Sequence, residues 1–63
     1  MMGYYVVERW NPTTEKWYEI SSYIRLSTAN KLASDLWEIR DRKSHYRVID
    51  RDSRIIQKSF RAE

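Results

Sequence analysis

Residues 4–20 read YYVVERWNPTTEKWYEI, and this stretch decides the first half of the fold. Aromatic and β-branched residues fill both of its flanks, which is typical of β-strands. Between the flanks, Pro12 presets the backbone angle of a turn, and the side chain of Asn11 is able to cap that turn. The pattern therefore predicts a β-hairpin with strands over 4–10 and 16–20.

The next segment is predicted to form an amphipathic helix over residues 28–41. Ser27 or Thr28 offers a side-chain N-cap, and apolar residues then recur at the spacing of one helical face. The predicted apolar face consists of Ala29, Leu32, Ala33, Leu36 and Ile39. On the opposite side, Glu38 and Arg42 have the spacing of an i,i+4 ion pair.

The C-terminal third is predicted to form a second hairpin, with strands over 45–50 and 54–60. Both runs are rich in β-branched and aromatic residues. The turn between them has no glycine, so a three-residue or a four-residue loop fits the sequence. A three-residue loop would place Val48 opposite Ile56.

The resulting order is ββαββ, an α+β fold in which a small antiparallel sheet carries one helix packed on one face. We expect residues 1–63 to form a single small domain. A chain of this length buries only about 60% of its unfolded surface, so its stability is marginal without a staple. The sequence contains no cysteine. Stability must therefore come from aromatic burial, from self-association, or from both.

Aromatic content is the strongest functional signal in this chain, which holds three tryptophans, five tyrosines and one phenylalanine. Rings fall on both faces of the first predicted hairpin, whereas one helix covers only one face of a sheet. A cluster of rings is therefore expected on the uncovered face. There it either packs across the strands or forms an interface, and the sequence favours neither use. The candidate protein-binding residues are Tyr5, Trp10, Trp17 and Tyr18.

Charge is unevenly distributed along the chain. Residues 40–63 hold eight basic and four acidic residues, whereas residues 1–39 hold four basic and five acidic ones. The basic second hairpin is thus an alternative, nucleic-acid-binding surface. Asp50 and Asp52 interrupt these basic residues, which favours an ordinary solvated face over a nucleic-acid surface.

No arrangement of residues in the sequence indicates catalysis. There is no Gly-rich phosphate loop, no His/Asp/Glu set with metal-ligand spacing, and no nucleophile-and-base pairing around the single histidine, His45. Glu8 and Glu19 are expected to face each other across the first hairpin and to be neutralised by Arg9 or Lys16. A chain of this size rarely encloses the ~300 Å³ that a small-molecule substrate needs. We therefore predict no enzyme, no metal and no cofactor.

The sequence also allows a prediction of the cellular compartment in which the protein is found. No apolar run approaches the length that spans a membrane, and the N-terminus lacks the basic and apolar regions of a signal peptide. The absence of cysteine fits a reducing compartment. These features predict a cytoplasmic protein that does not act on membranes.

The order of the elements resembles a group of short, uncharacterised bacteriophage and prophage proteins. The shared pattern is an aromatic and valine strand, an Asn-Pro-x-Thr turn at 11–14, a tryptophan-bearing strand, a Ser/Thr-capped Ala/Leu helix, and the return strand Tyr46-Arg47-Val48-Ile49-Asp50. It spans nearly the whole chain and contains no diagnostic motif, so it transfers no functional residue. The resemblance implies docking onto a larger host or viral protein.

A second, partial similarity is to the β-ribbons of phage-integrase arm-binding domains, whose sheet enters the DNA major groove. It rests on the run Tyr46-Arg47-Val48 and the run Lys58-Ser59-Phe60. The resemblance implies that Arg47, Arg51, Arg54 and Lys58 would contact phosphates or bases. Those domains lack the leading hairpin and place their helix after the sheet. This sequence, in contrast, has the leading hairpin and places its predicted helix between the two hairpins.

The sequence as a whole predicts a non-enzymatic interaction module that binds through its aromatic, uncovered sheet face. Its partner is a larger protein or a second copy in a homodimer. A nucleic-acid-binding β-ribbon is the alternative. The two differ in salt dependence, because affinity for nucleic acid falls steeply with ionic strength whereas an aromatic interface is nearly indifferent to it.

Overall fold

The structure, a computed structural model, describes residues 4–63, so the first three residues of the predicted domain lie outside the described part. The elements follow the order strand, strand, helix, strand, strand, which confirms the predicted α+β fold. The strands are β1 (Tyr5–Asn11), β2 (Lys16–Tyr23), β3 (Tyr46–Asp50) and β4 (Ile56–Phe60), and the helix is α1 (Leu26–Ile39). The strands form one antiparallel sheet in the order β2-β1-β3-β4.

The two central strands, β1 and β3, pair without irregularity. Val7 lies opposite Val48 on the face that packs against α1, and Glu8 lies opposite Arg47 on the other face. Such β-branched and opposite-charge pairs are the side-chain contacts that stabilise an antiparallel ladder. The centre of the sheet is therefore its most regular part.

Each outer strand, in contrast, contains a β-bulge. Ile20 is the extra residue of β2 opposite β1, and Gln57 is the extra residue of β4 opposite β3. Val48 pairs with Lys58, because the second loop has four residues and the bulge adds one more, so the Val48–Ile56 pair expected for a three-residue loop does not form. A bulge interrupts the ladder and increases the local twist.

The first hairpin turn is built around Asn11, as the sequence predicts. The Asn11 side-chain oxygen accepts the backbone N–H groups of Thr13 and Thr14 at 2.9 and 3.4 Å. Glu15 donates its backbone N–H to the Asn11 carbonyl at 2.8 Å and has a φ of 57°. The turn thus closes through one residue in the left-handed region.

The second hairpin repeats this turn with Asp50 in place of the asparagine. The Asp50 carboxylate accepts the backbone N–H groups of Asp52 and Ser53 at 2.9 and 3.0 Å. Arg54, at a φ of 63°, donates its N–H to the Asp50 carbonyl at 2.9 Å. The loop has four residues, because the Asp50 N–H bonds to the Ile55 carbonyl at 3.0 Å. The hydrogen bond from the Ser53 N–H is the main cause of an Asp50 pKa below the usual 3.8.

The core lies between α1 and one face of the sheet. Ala29 and Ala33 are fully buried, and their small side chains allow the helix to pack closely on the strands. The buried cluster consists of Val7, Ala29, Ala33, Tyr46, Val48 and Phe60. The partly buried residues packed around it are Tyr5, Tyr23, Leu26, Leu36 and Trp37.

Two details of the predicted helix are wrong. Helix α1 begins at Leu26, and Arg25 occupies the N-cap without a side-chain hydrogen bond, so neither Ser27 nor Thr28 caps it. Ile39 is 75% exposed and does not belong to the apolar face, because Trp37 takes the packing position beside Phe60. The predicted Glu38–Arg42 pair is confirmed at 2.8 Å.

Candidate functional site

The face of the sheet opposite α1, here called the uncovered face, carries a band of interacting polar and aromatic side chains. Its members follow from the strand register and the alternation of side chains along each strand. They are Val6, Glu8 and Trp10 from β1, Trp17 and Glu19 from β2, Arg47 and Ile49 from β3, and Ile56 and Ser59 from β4.

Trp10 and Trp17 form a pair on this face. They are direct cross-strand partners in the first hairpin, and their ring centroids are 5.5 Å apart at an interplanar angle of 60°. This edge-to-face arrangement contributes about 0.5–1.5 kcal/mol beyond the burial of area. The pair is therefore held in one geometry rather than left as two independent rings.

Arg47 links this aromatic pair to the sheet. Its Nε donates to Glu8 Oε1 at 2.7 Å, and its guanidinium lies 4.1 Å from the centroid of the Trp17 ring. The two charged side chains are largely buried, with 19% of Arg47 and 8% of Glu8 exposed. The arginine thus crosses from β3 over β1 to β2, fixed at both ends by a charge-assisted hydrogen bond and a cation–π contact.

A second ion pair crosses the same strand. An Arg51 terminal nitrogen lies 3.3 Å from a Glu19 carboxylate oxygen, and this pair is more exposed than the first. Glu8 and Glu19 do face each other as predicted, but their partners are Arg47 and Arg51. The expectation that Arg9 or Lys16 neutralises them is wrong, because Arg9 and Lys16 lie on the other face of the sheet, opposite Tyr18 and Asn11. The bridging arginines come from β3 and its turn.

Two apolar side chains on the uncovered face are as buried as those under the helix. Val6 and Ile49 are cross-strand partners and are only 2% and 1% exposed. No element of the described chain packs over them as α1 does over the other face, so neighbouring side chains provide their cover. The uncovered face is thus partly closed by its own residues.

At one end of the uncovered face the rings line an open groove of about 500 Å³, here called the tryptophan groove. Its volume lies in the range of ligand pockets, which the short chain length did not predict, although the groove is open to solvent and not enclosed. Four aromatic residues, two arginines and one histidine make up most of its lining. They are Trp10, Trp17, Tyr46, Phe60, Arg47, Arg61 and His45.

The residues after β4 form one wall of this groove and are held in place by backbone hydrogen bonds. Trp37 Nε1 donates to the Arg61 carbonyl at 3.0 Å, and the Ala62 N–H donates to His45 Nδ1 at 3.0 Å. Glu63 donates its N–H to the Arg42 carbonyl at 2.8 Å. The position of Arg61 is therefore set by the packing of α1 and of the loop before β3.

Arg42 reinforces this corner electrostatically. Its hydrogen bond to Glu38, together with the charges of Glu38 and Glu63, raises the Arg42 pKa above its usual value. The guanidinium also lies 5.0 Å from the centroid of the Trp37 ring.

The structure separates the four residues predicted to bind protein. Trp10 and Trp17 come together in the tryptophan groove. Tyr5 and Tyr18 lie on the other face of the sheet, where Tyr5 packs against the core and Tyr18 accepts a hydrogen bond from Arg9 at 3.2 Å. The alternation of side chains along each strand is the reason for this division.

The four candidate nucleic-acid residues do not form one surface. Arg47 and Arg51 lie on the uncovered face and are paired with carboxylates. Arg54 occupies the second hairpin turn, and Lys58 lies on the helix side with its Nζ 5.6 Å from the Phe60 ring centroid. Sequence reasoning also missed His45 and Arg61 as groove residues, since no local pattern indicates that they meet.

No family model, curated protein or solved structure matches this chain. The resemblance to phage proteins therefore stays a prediction. In the described residues, no helix has the length and apolar character needed to cross a membrane. The same part of the chain contains no group of three or more His, Cys, Asp or Glu residues able to hold a metal ion.

Proposed function

We propose that this protein is a non-enzymatic binding module that holds a segment of a partner protein in the tryptophan groove. The observation that carries the proposal is the Trp10–Trp17 pair with Arg47 stacked on it, lining a groove of about 500 Å³ on the face that α1 leaves open.

Tryptophan and arginine are the residues in which interface energy most often concentrates. Association also costs free energy for every flexible side chain that it immobilises. In this groove the cost is reduced beforehand, because Trp10 and Trp17 contact each other and Arg47 is bound to Glu8. A partner segment therefore meets a surface that is already ordered.

The contacts favour a protein partner over a DNA duplex. A β-ribbon that enters a groove of DNA needs its basic side chains on one surface and available to phosphates. Here the four candidates do not lie on one surface, because Arg54 occupies the second hairpin turn and Lys58 lies on the face opposite to Arg47. The predicted docking onto a larger protein is consistent with this arrangement.

The test is a selection from a phage-displayed library of short random peptides, followed by titration of the recovered peptides into the ¹⁵N-labelled protein. We expect the indole N–H signals of Trp10 and Trp17 to shift more than that of Trp37. Trp37 is not part of the tryptophan pair, and its indole N–H donates to the Arg61 carbonyl. Trp17→Ala should weaken binding by about 2 kcal/mol or more, roughly 30-fold in Kd.

Tyr18→Ala is the matched control, because Tyr18 is the next residue of β2 and its ring lies on the helix side of the sheet, away from the groove. Circular dichroism should show both variants folded. Equal binding by Trp17→Ala and wild type would refute the proposal, as would peptides that shift only residues on α1. Sedimentation of the same variants tests self-association, since a dimer that Trp17→Ala dissociates would make a second copy the partner.

A further inference from the structure

The tryptophan groove is positively biased in a way that the rest of the uncovered face is not. The guanidinium groups of Arg47 and Arg61 contribute to its lining, and none of its nine lining residues is acidic. Glu8 lies on the same face but is bound to Arg47 and largely buried, so it offers no carboxylate to an occupant. The groove therefore favours a negatively charged ligand.

Arg47 has hydrogen-bonding capacity to spare. Its Nε is the atom that donates to Glu8, and within the described chain its two terminal nitrogens have no hydrogen-bond acceptor. Its plane is held against Trp17. A guanidinium fixed in this way presents its remaining donors in one geometry, which suits the two oxygens of a carboxylate.

Arg61 and His45 add donors from the neighbouring wall. Arg61 forms no ion pair with any residue of the described chain, while its backbone carbonyl is held by Trp37. His45 Nδ1 accepts the Ala62 N–H, so the ring proton of a neutral His45 is on Nε2, which is then a donor. Both residues thus have donor groups without an assigned acceptor among residues 4–63.

Part of the remaining lining is apolar and accessible. Ile56 is 50% exposed, and it lies in the groove with the half-buried tryptophan pair. An occupant that offered only charge would leave this surface in contact with water. A bulky apolar group next to the charge would bury it, at about 25 cal/mol per Å² of apolar area.

Resting on the proposed function, we infer that the occupant is a peptide segment in which an Asp or Glu side chain neighbours a bulky apolar residue. The carboxylate bonds to Arg61 and to the terminal nitrogens of Arg47, and the apolar side chain packs on Trp10 and Ile56.

A single-stranded nucleic acid fits these contacts less well. Its bases bind by stacking on free ring faces, whereas one face of Trp17 is taken by Arg47 and the Trp10 and Trp17 rings meet edge to face. Beyond the groove, Glu19 is 46% exposed on the same face and would repel a phosphate backbone that continued along it.

The test uses the peptides recovered from the selection, synthesised with acetylated and amidated ends so that only side-chain carboxylates are present. We expect Asp or Glu beside a bulky apolar residue in the recovered sequences. Replacement of that Glu by Gln should weaken binding about tenfold or more, and Arg61→Gln in the protein should have a similar effect. The matched control is Arg54→Gln, an arginine in the second hairpin turn outside the groove.

A charge exchange gives the sharper result. Arg61→Glu should abolish binding of the acidic peptide and restore binding of the same peptide with Lys in place of Glu. The exchange does not depend on Arg47, whose replacement would disturb the fold through Glu8.

The outcomes separate the two proposals. If recovered peptides shift the Trp10 and Trp17 signals but bind equally well after Glu→Gln, the proposed binding function stands. The inference that the occupant carries an acidic side chain is then wrong. A selection that yields no Trp17-dependent peptide overturns the binding function and this inference with it. Trp17-dependent binding of fluorescein-labelled oligothymidine that displaces the peptides would overturn the peptide in favour of single-stranded nucleic acid.

Discussion

The two faces of the sheet bury equivalent side chains by different means. On the helix side, Val7 and Val48 are fully buried against an apolar helix surface. On the uncovered face, their sequence neighbours Val6 and Ile49 are just as inaccessible, although no helix of the described chain packs over them. The neighbouring positions on this face are Ser22, Ile56, Glu8 and Arg47. One face is closed by a helix and the other by side chains of the sheet itself.

This difference separates stability from binding. On the helix side, Tyr46 and Phe60 are buried in the core and Tyr5, Tyr23 and Trp37 pack around it, which leaves Tyr18 as an exposed ring beside Arg9. The uncovered face keeps its rings at the surface and orders them with Glu8 and Arg47. A small sheet can therefore have an aromatic surface for recognition without exposing its central residues to water.

The largest expected effect is on the helix side, for Phe60→Ala. Phe60 is a member of the buried cluster and lies opposite Tyr46 and 5.7 Å from the Trp37 ring. Truncation should cost about 3–5 kcal/mol, which is comparable with the whole stability of a small domain. Chemical denaturation measures it. Ile39→Ala, at an exposed helix position, is the control and should unfold with nearly wild-type stability.

The next effect is on the uncovered face, for Glu8→Ala. This change leaves Arg47 largely buried without its carboxylate, which should cost about 2–4 kcal/mol. Glu8→Gln keeps an acceptor for the arginine and should cost less. Urea titrations of both variants measure the difference. Stability of Glu8→Ala equal to that of wild type would show that Arg47 does not depend on this contact.

A smaller effect is expected for Glu19→Gln, which removes the more exposed of the two crossing ion pairs. Exposed pairs contribute about 0.2–1 kcal/mol and weaken as salt rises. Thermal melts at low and high ionic strength should therefore differ less for the variant than for wild type. A salt dependence unchanged by the substitution would contradict an electrostatic role for this pair.

The smallest expected effect is a difference between the two hairpin turns in their response to acid. The pKa of Asp50 is lowered, chiefly by the Ser53 N–H, so the charged form is favoured in the folded state. Its contribution to stability is present above the unfolded value near 4 and is lost as pH falls through the lower folded value. The amide signals of Asp52 and Ser53 should titrate in acid, while those of Thr13 and Thr14, bonded to Asn11, should not. Asp50→Asn should remove the titration, and a titration that persists in it would assign the signal to another group.

The sequence was sufficient for features that depend on neighbouring residues. The Asn11 turn, the two hairpins and the Glu38–Arg42 pair all arise within a few positions, so local patterns predicted them. The start of α1 was missed because its extension to Leu26 is stabilised by packing on the sheet and not by a capping side chain.

The candidate site was predictable only in part. The tryptophan pair follows from the first hairpin, but the partners of Glu8 and Glu19 come from the other hairpin and depend on strand order. Arg61 reaches the groove because Trp37 holds its carbonyl, a contact between residues far apart in the chain. No spacing in the sequence reveals such a contact.

The bulges at Ile20 and Gln57 affect how readily the protein would aggregate at high concentration. An edge strand with an unbroken ladder is a template on which further chains can be added, and that is how β-rich proteins begin to form fibrils. In this sheet β2 and β4 each carry a bulge in the ladder to their inner neighbour, and a bulge bends and twists the strand that contains it. We therefore expect both edges to be poorer templates for a further chain than flat strands would be, while the isoleucine and tryptophan side chains of the uncovered face stay available to a partner.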